Sequence, residues 1–240
     1  MTNSSKPSYK IYKVEIKKVQ SITPMMRRLT LDASGVPGLR ADRPGQWVKI
    51  FVRDEADNLQ PGRAYTIRNM DEATGEIDVD FFLHNPSGPL STWAALTKAG
   101  EFCEISSPHR SSGIVIAEQS TKYFLAADDT GLPAILSILE NLPENATAKV
   151  LIEVENEAEK QPIKSLAQID AQWLYRASDN YSGLSEAILS NIPPTPCEVF
   201  IAAESSDIKK IKSHLNDRPE FRNMDLSGYW KRGEKDYRDE

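Results

Sequence analysis

Arg63-Ala64-Tyr65-Thr66-Ile67-Arg68 places two guanidinium groups, a phenol and a hydroxyl on one short stretch that reads as a strand. A planar, permanently charged guanidinium suits a diphosphate, so Arg63 or Arg68 can hold one. Tyr65 can cover an aromatic ring, and the Thr66 hydroxyl can hydrogen-bond its edge. Together these groups suit a flavin, with the ring under Tyr65 and N5 near Thr66. An ordinary exposed edge strand carrying Tyr and Arg reads equally well from these residues alone. The second stretch is Gly88-Pro89-Leu90-Ser91-Thr92-Trp93, a helix start rich in small and hydroxyl residues. Unsatisfied N–H groups at a helix start, aided by the helix dipole, cradle phosphate groups. Ser91 and Thr92 can add donors, and Trp93 can stack on adenine or pack into the core.

The elements that must position these groups change character halfway along the chain. Tyr9–Val19, Met26–Leu31, Gln46–Val52, Ala64–Met70 and Glu76–His84 alternate with period two between Gly, Pro, Asp and Asn, as half-buried strands do. In Ile77–Leu83 the odd-numbered residues form an apolar face, and Asp71–Gly75 is a turn that makes 64–70 and 76–84 a hairpin. Short strands at this spacing predict a small antiparallel barrel, interrupted by a helix over Leu90–Lys98. Beyond it, strands at Tyr123–Ala127, Val150–Val154, Gln172–Tyr175, Glu198–Ala203 and Ser227–Lys231 alternate with helices at Thr130–Leu142, Leu184–Leu189 and one carrying Ile208, Ile211 and Leu215. Ser205 or Ser206 is the expected cap of that last helix. The alternation predicts a parallel sheet with helices on both faces. The expected division is a barrel domain at 1–116 and an α/β domain at 117–240.

Composition narrows the class. Hydrophobic residues make up 40% and charged residues 27% of the 240, as in soluble globular proteins. No run of 18 apolar residues is present, and Met1–Lys10 lacks the apolar core of a secretory signal, so it is expected to be a disordered leader. Cys103 and Cys197 stand far apart, which points to reduced thiols and a cytoplasmic location rather than zinc or a redox pair. His84, His109 and His214 suggest no metal cluster. Residues 1–50 hold ten Lys or Arg against three acids, whereas 117–240 hold fourteen against twenty-two. The basic end reads either as a solvated strand surface or as an anion-attracting mouth. The acidic total disfavours nucleic acid.

The ordered series of motifs resembles the siderophore-interacting protein family, the NAD(P)H-dependent ferric siderophore reductases. It comprises Arg-x-Tyr-Thr-x-Arg at 63–68, Gly75–Phe81 running on to His84, Gly88-Pro89, Ser91 and Trp93-Ala94. It continues through Asp128–Ala134, Ile152-Glu153-Val154 and Ala203–Ser206, and closes with Gly228–Gly233. The resemblance implies a ferredoxin-reductase-type flavoprotein, with FAD on the barrel and NADPH or NADH on the α/β domain. It implies FAD contacts from Arg63, Tyr65, Thr66, Arg68, the backbone of Phe82, Leu83 and His84, and the loop Gly88, Pro89, Leu90, Ser91, Thr92 and Trp93. Trp230 is expected beside the flavin, or packed in the core. Asp128, Thr130, Glu204 and Ser205 are expected at the pyridine nucleotide, although carboxylates repel a diphosphate. Basic residues around the flavin edge would receive an anionic ferric siderophore: Lys49, Arg110, Arg176 and Lys231, each of which also reads as a solvated surface charge.

The implied reaction passes electrons from NAD(P)H through the flavin to ferric iron. Ferrous iron then leaves, because hard oxygen ligands hold the lower charge weakly. No protein acid or base is required, which agrees with the lack of a catalytic triad pattern. The expected partners are a ferric siderophore and a pyridine nucleotide, for a monomer without stable membrane insertion. Two other readings stay open: the same flavoprotein taking electrons from ferredoxin, and a non-enzymatic cytosolic siderophore carrier.

Overall fold

The computed structural model describes residues 10–54, 56–84, 88–109, 112–117, 119–176, 183–216, 218, 224–234 and 237. All of the expected leader except Lys10 lies outside the described residues. The chain divides into two compact units. One comprises the residues up to Ser21 together with Arg27–Ile114, and the other comprises Ile22–Met26 and Val115–Glu240.

The first unit is a closed barrel of β1 (Ile11–Ser21), β2 (Met26–Asp32), β3 (Trp47–Phe51), β4 (Arg63–Asp71), β5 (Glu76–Phe82) and β6 (Phe102–Ser106). The strand order is β1-β2-β5-β4-β3-β6. Alternation decides which face goes inside. Ile77, Val79 and Phe81, the predicted apolar face of β5, are fully buried with Ile16, Leu29, Leu31, Ile50 and Ile105. Each such side chain contributes about 1.5–3 kcal/mol on leaving water. Register shifts in the β1–β2 and β4–β5 ladders supply the bends that closure needs. A bidentate ion pair ties β2 to β5: Arg28 Nε donates to Asp80 Oδ1 at 2.6 Å and Nη2 donates to Oδ2 at 2.8 Å. β6 was not among the predicted strands. Phe102 and Glu104 point out while Cys103 and Ile105 point in, so only two apolar positions mark it as a strand. The helix α1 (Pro89–Leu96) follows β5 and ends two residues before the expected limit.

The second unit has a parallel sheet in the order β11-β10-β7-β8-β9. Its strands are β7 (Lys122–Ala127), β8 (Thr147–Val154), β9 (Gln168–Tyr175), β10 (Glu198–Glu204) and β11 (Met224–Trp230). The helices are α2 (Leu132–Glu140), α3 (Leu184–Asn191) and α4 (Ser205–Leu215). Phe124, Ala126, Leu151, Val199, Ile201 and Ala203 turn one sheet face toward Leu184 and Ile188 of α3 and Ile208 and Ile211 of α4. The α4 cap differs from expectation. Glu204, not Ser205 or Ser206, is the N-cap residue, and its carboxylate accepts from the Ser206 and Asp207 amides. Its longer side chain carries a full charge to the helix start, where the dipole favours an anion.

Candidate functional site

In the first unit, the flavin-contact candidates converge on Phe81. The Tyr65 ring lies 4.3 Å from it between centroids and the Trp93 ring 6.0 Å, in an edge-on arrangement. One fully buried phenylalanine of β5 thus joins β4 to the first turns of α1. Tyr65 packs against the barrel core, and burial pushes its phenol up to about 12, so it acts as a neutral hydrogen-bonding group at physiological pH. Thr66 and Arg68 are also buried on β4, and Arg63 opens the strand. Phe82 ends β5, with its ring 6.5 Å from that of His84, and Leu83 packs on the core between them. In β3, Lys49 pairs with Ala64 of β4, and its amide donates to Ser106 Oγ at 2.9 Å. A stack that sequence reasoning did not find lies on the same strand: the Trp47 and His109 rings are 5.2 Å apart and 8° from parallel. Trp47 is the register partner of Thr66. No spacing rule connects residues 47 and 109, so only the fold brings them together.

The start of α1 suits a diphosphate. Its N-cap, Gly88, provides no side-chain cap, and a Cβ placed there would meet nothing within 4 Å. Pro89 has no N–H, and the Thr92 amide donates to Gly88 O at 2.9 Å, which leaves the Leu90 and Ser91 amides at the first turn. With Arg63 and Arg68 on β4, this is the donor set that a flavin adenine dinucleotide requires: amides and guanidinium groups for the phosphates, and an aromatic and a hydroxyl for the ring.

The helix starts of the second unit are built differently. Asp128 Oδ1 accepts from the Thr130 amide (2.8 Å), the Thr130 hydroxyl (2.6 Å) and the Gly131 amide (3.3 Å), while Oδ2 accepts from Trp230 Nε1 at 2.7 Å. Trp230 is therefore anchored by Asp128. Glu153 Oε1 accepts from the Gly183 amide ahead of α3 at 2.8 Å. Glu204, besides capping α4, accepts from the Arg232 amide at 3.0 Å. Ser205 shares a 2.7 Å hydrogen bond with the Tyr237 hydroxyl. Gly131 has a packing role, since a Cβ would lie 2.4 Å from Ala202 O and 2.9 Å from Ala127 Cβ.

Arg176 follows β9 and faces three carboxylates: Asp129 at 2.5 Å, Glu155 at 3.1 Å and Glu153 at 3.7 Å. Burial disfavours its charge, yet Asp129 and Asp128 hold its pKa above the usual value. Burial pushes Asp129 up to about 7; Arg176 opposes that rise and Asp128 adds to it. Burial outweighs the pull of a guanidinium that Glu153 and Glu155 also share, so a proton on Asp129 near neutrality is expected. Glu153 was legible only as an acid inside the apolar run Val150–Val154. Lys231 is ion-paired with Glu234. Arg110 lies outside the described residues. Cys103 and Cys197 are free thiols, and no described helix is long and apolar enough to cross a membrane.

Comparison with known proteins places these features in a lineage. A profile described as the siderophore-interacting FAD-binding domain matches residues 15–61 and 53–112. One described as the siderophore-interacting protein matches 120–233. The ferric vibriobactin reductase ViuB of Vibrio cholerae is 26% identical over 234 residues, covering 87% of this chain and 85% of ViuB. The mycobactin import ATP-binding/permease protein IrtA of Mycobacterium tuberculosis is 28% identical over 195 residues, 79% of this chain; the match spans only 22% of IrtA. A crystal structure of a siderophore utilization protein from T. fusca superposes with a TM-score of 0.81 at 28% identity, over 94% of both chains. The two siderophore-interacting profiles, one over the barrel and one over residues 120–233, make this chain a member of the siderophore-interacting protein family.

Proposed function

We propose that this protein is an FAD-dependent ferric siderophore reductase that takes electrons from NADPH or NADH and releases ferrous iron. The observation that carries the reading is the open, uncapped start of α1 together with Arg63, Tyr65, Thr66 and Arg68 on β4, all within the segment matched to an FAD-binding domain. The similarity to ViuB supports the choice of oxidant. When bound, FAD supplies the step between a two-electron donor and a one-electron ferric acceptor. The chain's own groups do the rest. The Leu90 and Ser91 amides with Arg63 and Arg68 hold the diphosphate, while Tyr65 and Thr66 orient the ring. Lys49 on the neighbouring strand attracts an anionic ferric complex. Electron transfer to ferric iron itself moves no proton, and the proton released when a reduced flavin is reoxidised would pass to solvent, so no side chain is assigned as acid or base.

A ferredoxin as electron donor is the second reading, favoured by the carboxylates at Asp128 and Glu204. Steady-state oxidation of NADPH and NADH with a ferric siderophore, with and without a reduced ferredoxin, separates the two. Turnover with either nucleotide alone supports the first reading. A non-enzymatic carrier is the third: protein that remains colourless after incubation with FAD and desalting, yet binds a ferric siderophore, would establish it. We assign the enzyme to the cytoplasm, where pyridine nucleotide is supplied and two unpaired cysteines stay reduced.

A further inference from the structure

We propose that the second unit does not recognise the diphosphate of a pyridine nucleotide, and that Asp128, Glu153 and Glu204 exclude it from the three helix starts of that unit. This deepens the reductase reading and rests on it. Open parallel sheets bind dinucleotides at the carboxyl ends of their strands, where helix amides meet the diphosphate. Here a carboxylate of the chain itself lies at each of those positions. Asp128 takes the Thr130 and Gly131 amides ahead of α2. Glu153 takes the Gly183 amide ahead of α3. Glu204 takes the Ser206 and Asp207 amides of α4.

Two further observations hold these carboxylates in place. Asp128, Glu153 and Glu204 are each at most 7% exposed, so solvent does not compete for them. Their second oxygens are also engaged: Asp128 with Trp230, Glu153 with Arg176 and Glu204 with the Arg232 amide. A phosphate would have to displace a bonded carboxylate at each start and then sit beside its charge. The start of α1 in the first unit shows the opposite arrangement, with no capping carboxylate and open space above Gly88. A nicotinamide donor is therefore read through its nicotinamide half, with no selectivity for the adenylate half or its 2′-phosphate.

The test uses FAD-loaded protein, so that the barrel's own phosphate site is filled. ADP-ribose, which keeps the diphosphate but lacks nicotinamide, is titrated and followed by amide NMR. No saturable shift at Thr130, Gly131, Ser206 or Asp207 is expected up to about 5 mM. In anaerobic flavin reduction, reduced nicotinamide mononucleotide, NADH and NADPH should agree in kcat/KM within about tenfold. Saturable ADP-ribose binding at those amides, or a loss of about a hundredfold on trimming the adenylate, would overturn the proposal. An Asp128→Ser/Glu204→Ser variant that keeps the wild-type amide spectrum should bind ADP-ribose at least about fivefold more tightly. Unchanged binding in that variant would show that the carboxylates are not the barrier. Flavin retention after desalting is read separately, so loss of the FAD reading itself would be seen as such.

Discussion

Replacing Asp129 by Asn should reverse the pH dependence of this protein's stability over part of the neutral range. Asp129 is 1% exposed, 2.5 Å from Arg176, and shares that guanidinium with Glu153 and Glu155. Burial raises its pKa from 3.8 to about 7, with Asp128 adding to the rise against the pull of Arg176. A carboxyl that is more basic when folded than when unfolded holds a proton in the native state only. Its contribution is therefore complete below about pH 4 and is lost as pH rises toward 7; above 7 it is flat. The gap of about three units corresponds to a ceiling of about 4 kcal/mol at about 1.4 kcal/mol per unit. Asn mimics the protonated carboxyl, still accepts from Arg176, and carries nothing to titrate. Urea unfolding followed by tryptophan fluorescence should place wild type and Asp129→Asn close together near pH 4. At pH 8 the variant should be more stable by about 1–4 kcal/mol. A variant that is less stable at pH 8 and follows the wild-type pH slope would refute the reasoning, because it would mean that the Arg176 pair keeps Asp129 ionised throughout.

Glu204→Ala removes both the α4 cap and the acceptor for the Arg232 amide, so it should cost about 1–2 kcal/mol by urea unfolding. Gly131→Ala pushes a methyl group to 2.4 Å from Ala202 O; it should lower stability by more than about 2 kcal/mol and broaden the melting transition. Phe81→Ala removes the ring that Tyr65 and Trp93 share, and a loss of about 3–5 kcal/mol is expected along with weaker flavin retention on desalting. Arg63→Ala should weaken FAD binding at least about tenfold in an equilibrium titration while leaving the melting temperature within a few degrees.

The barrel was legible because alternation survives wherever one face of a strand meets the core. Ile77, Val79 and Phe81 announce both the strand and its inner face, and the turn at Asp71–Gly75 announces its hairpin. β6 was missed because just two of its five residues carry the apolar signal, Phe102 being exposed on the wrong side. The cap of α4 was misread for a related reason. Ser205 and Ser206 are strong capping types, but the preceding glutamate is long enough to reach two amides and a third from Arg232, which no local rule anticipates. The first-unit flavin candidates lie on the β4–β5 hairpin and the helix after it, so sequence order alone placed them near one another. Arg176 is expected from the sequence at an anionic siderophore because nothing local reveals that Asp129, Glu153 and Glu155, from two other chain segments, converge on it. Such long-range pairs depend on strand order, here β7-β8-β9, which alternation does not encode.

The central claim is that flavin held by the barrel delivers electrons to chelated ferric iron, and it can be tested without any assumption about the natural donor. FAD-loaded protein is freed of unbound flavin, reduced by light under anaerobic conditions, and mixed in a stopped-flow spectrometer with a ferric catecholate or hydroxamate siderophore and a ferrous chelator. The account predicts return of the oxidised flavin spectrum together with about two ferrous ions per flavin. Reduced flavin that persists beside intact ferric complex, or protein that retains no flavin at all, would contradict it.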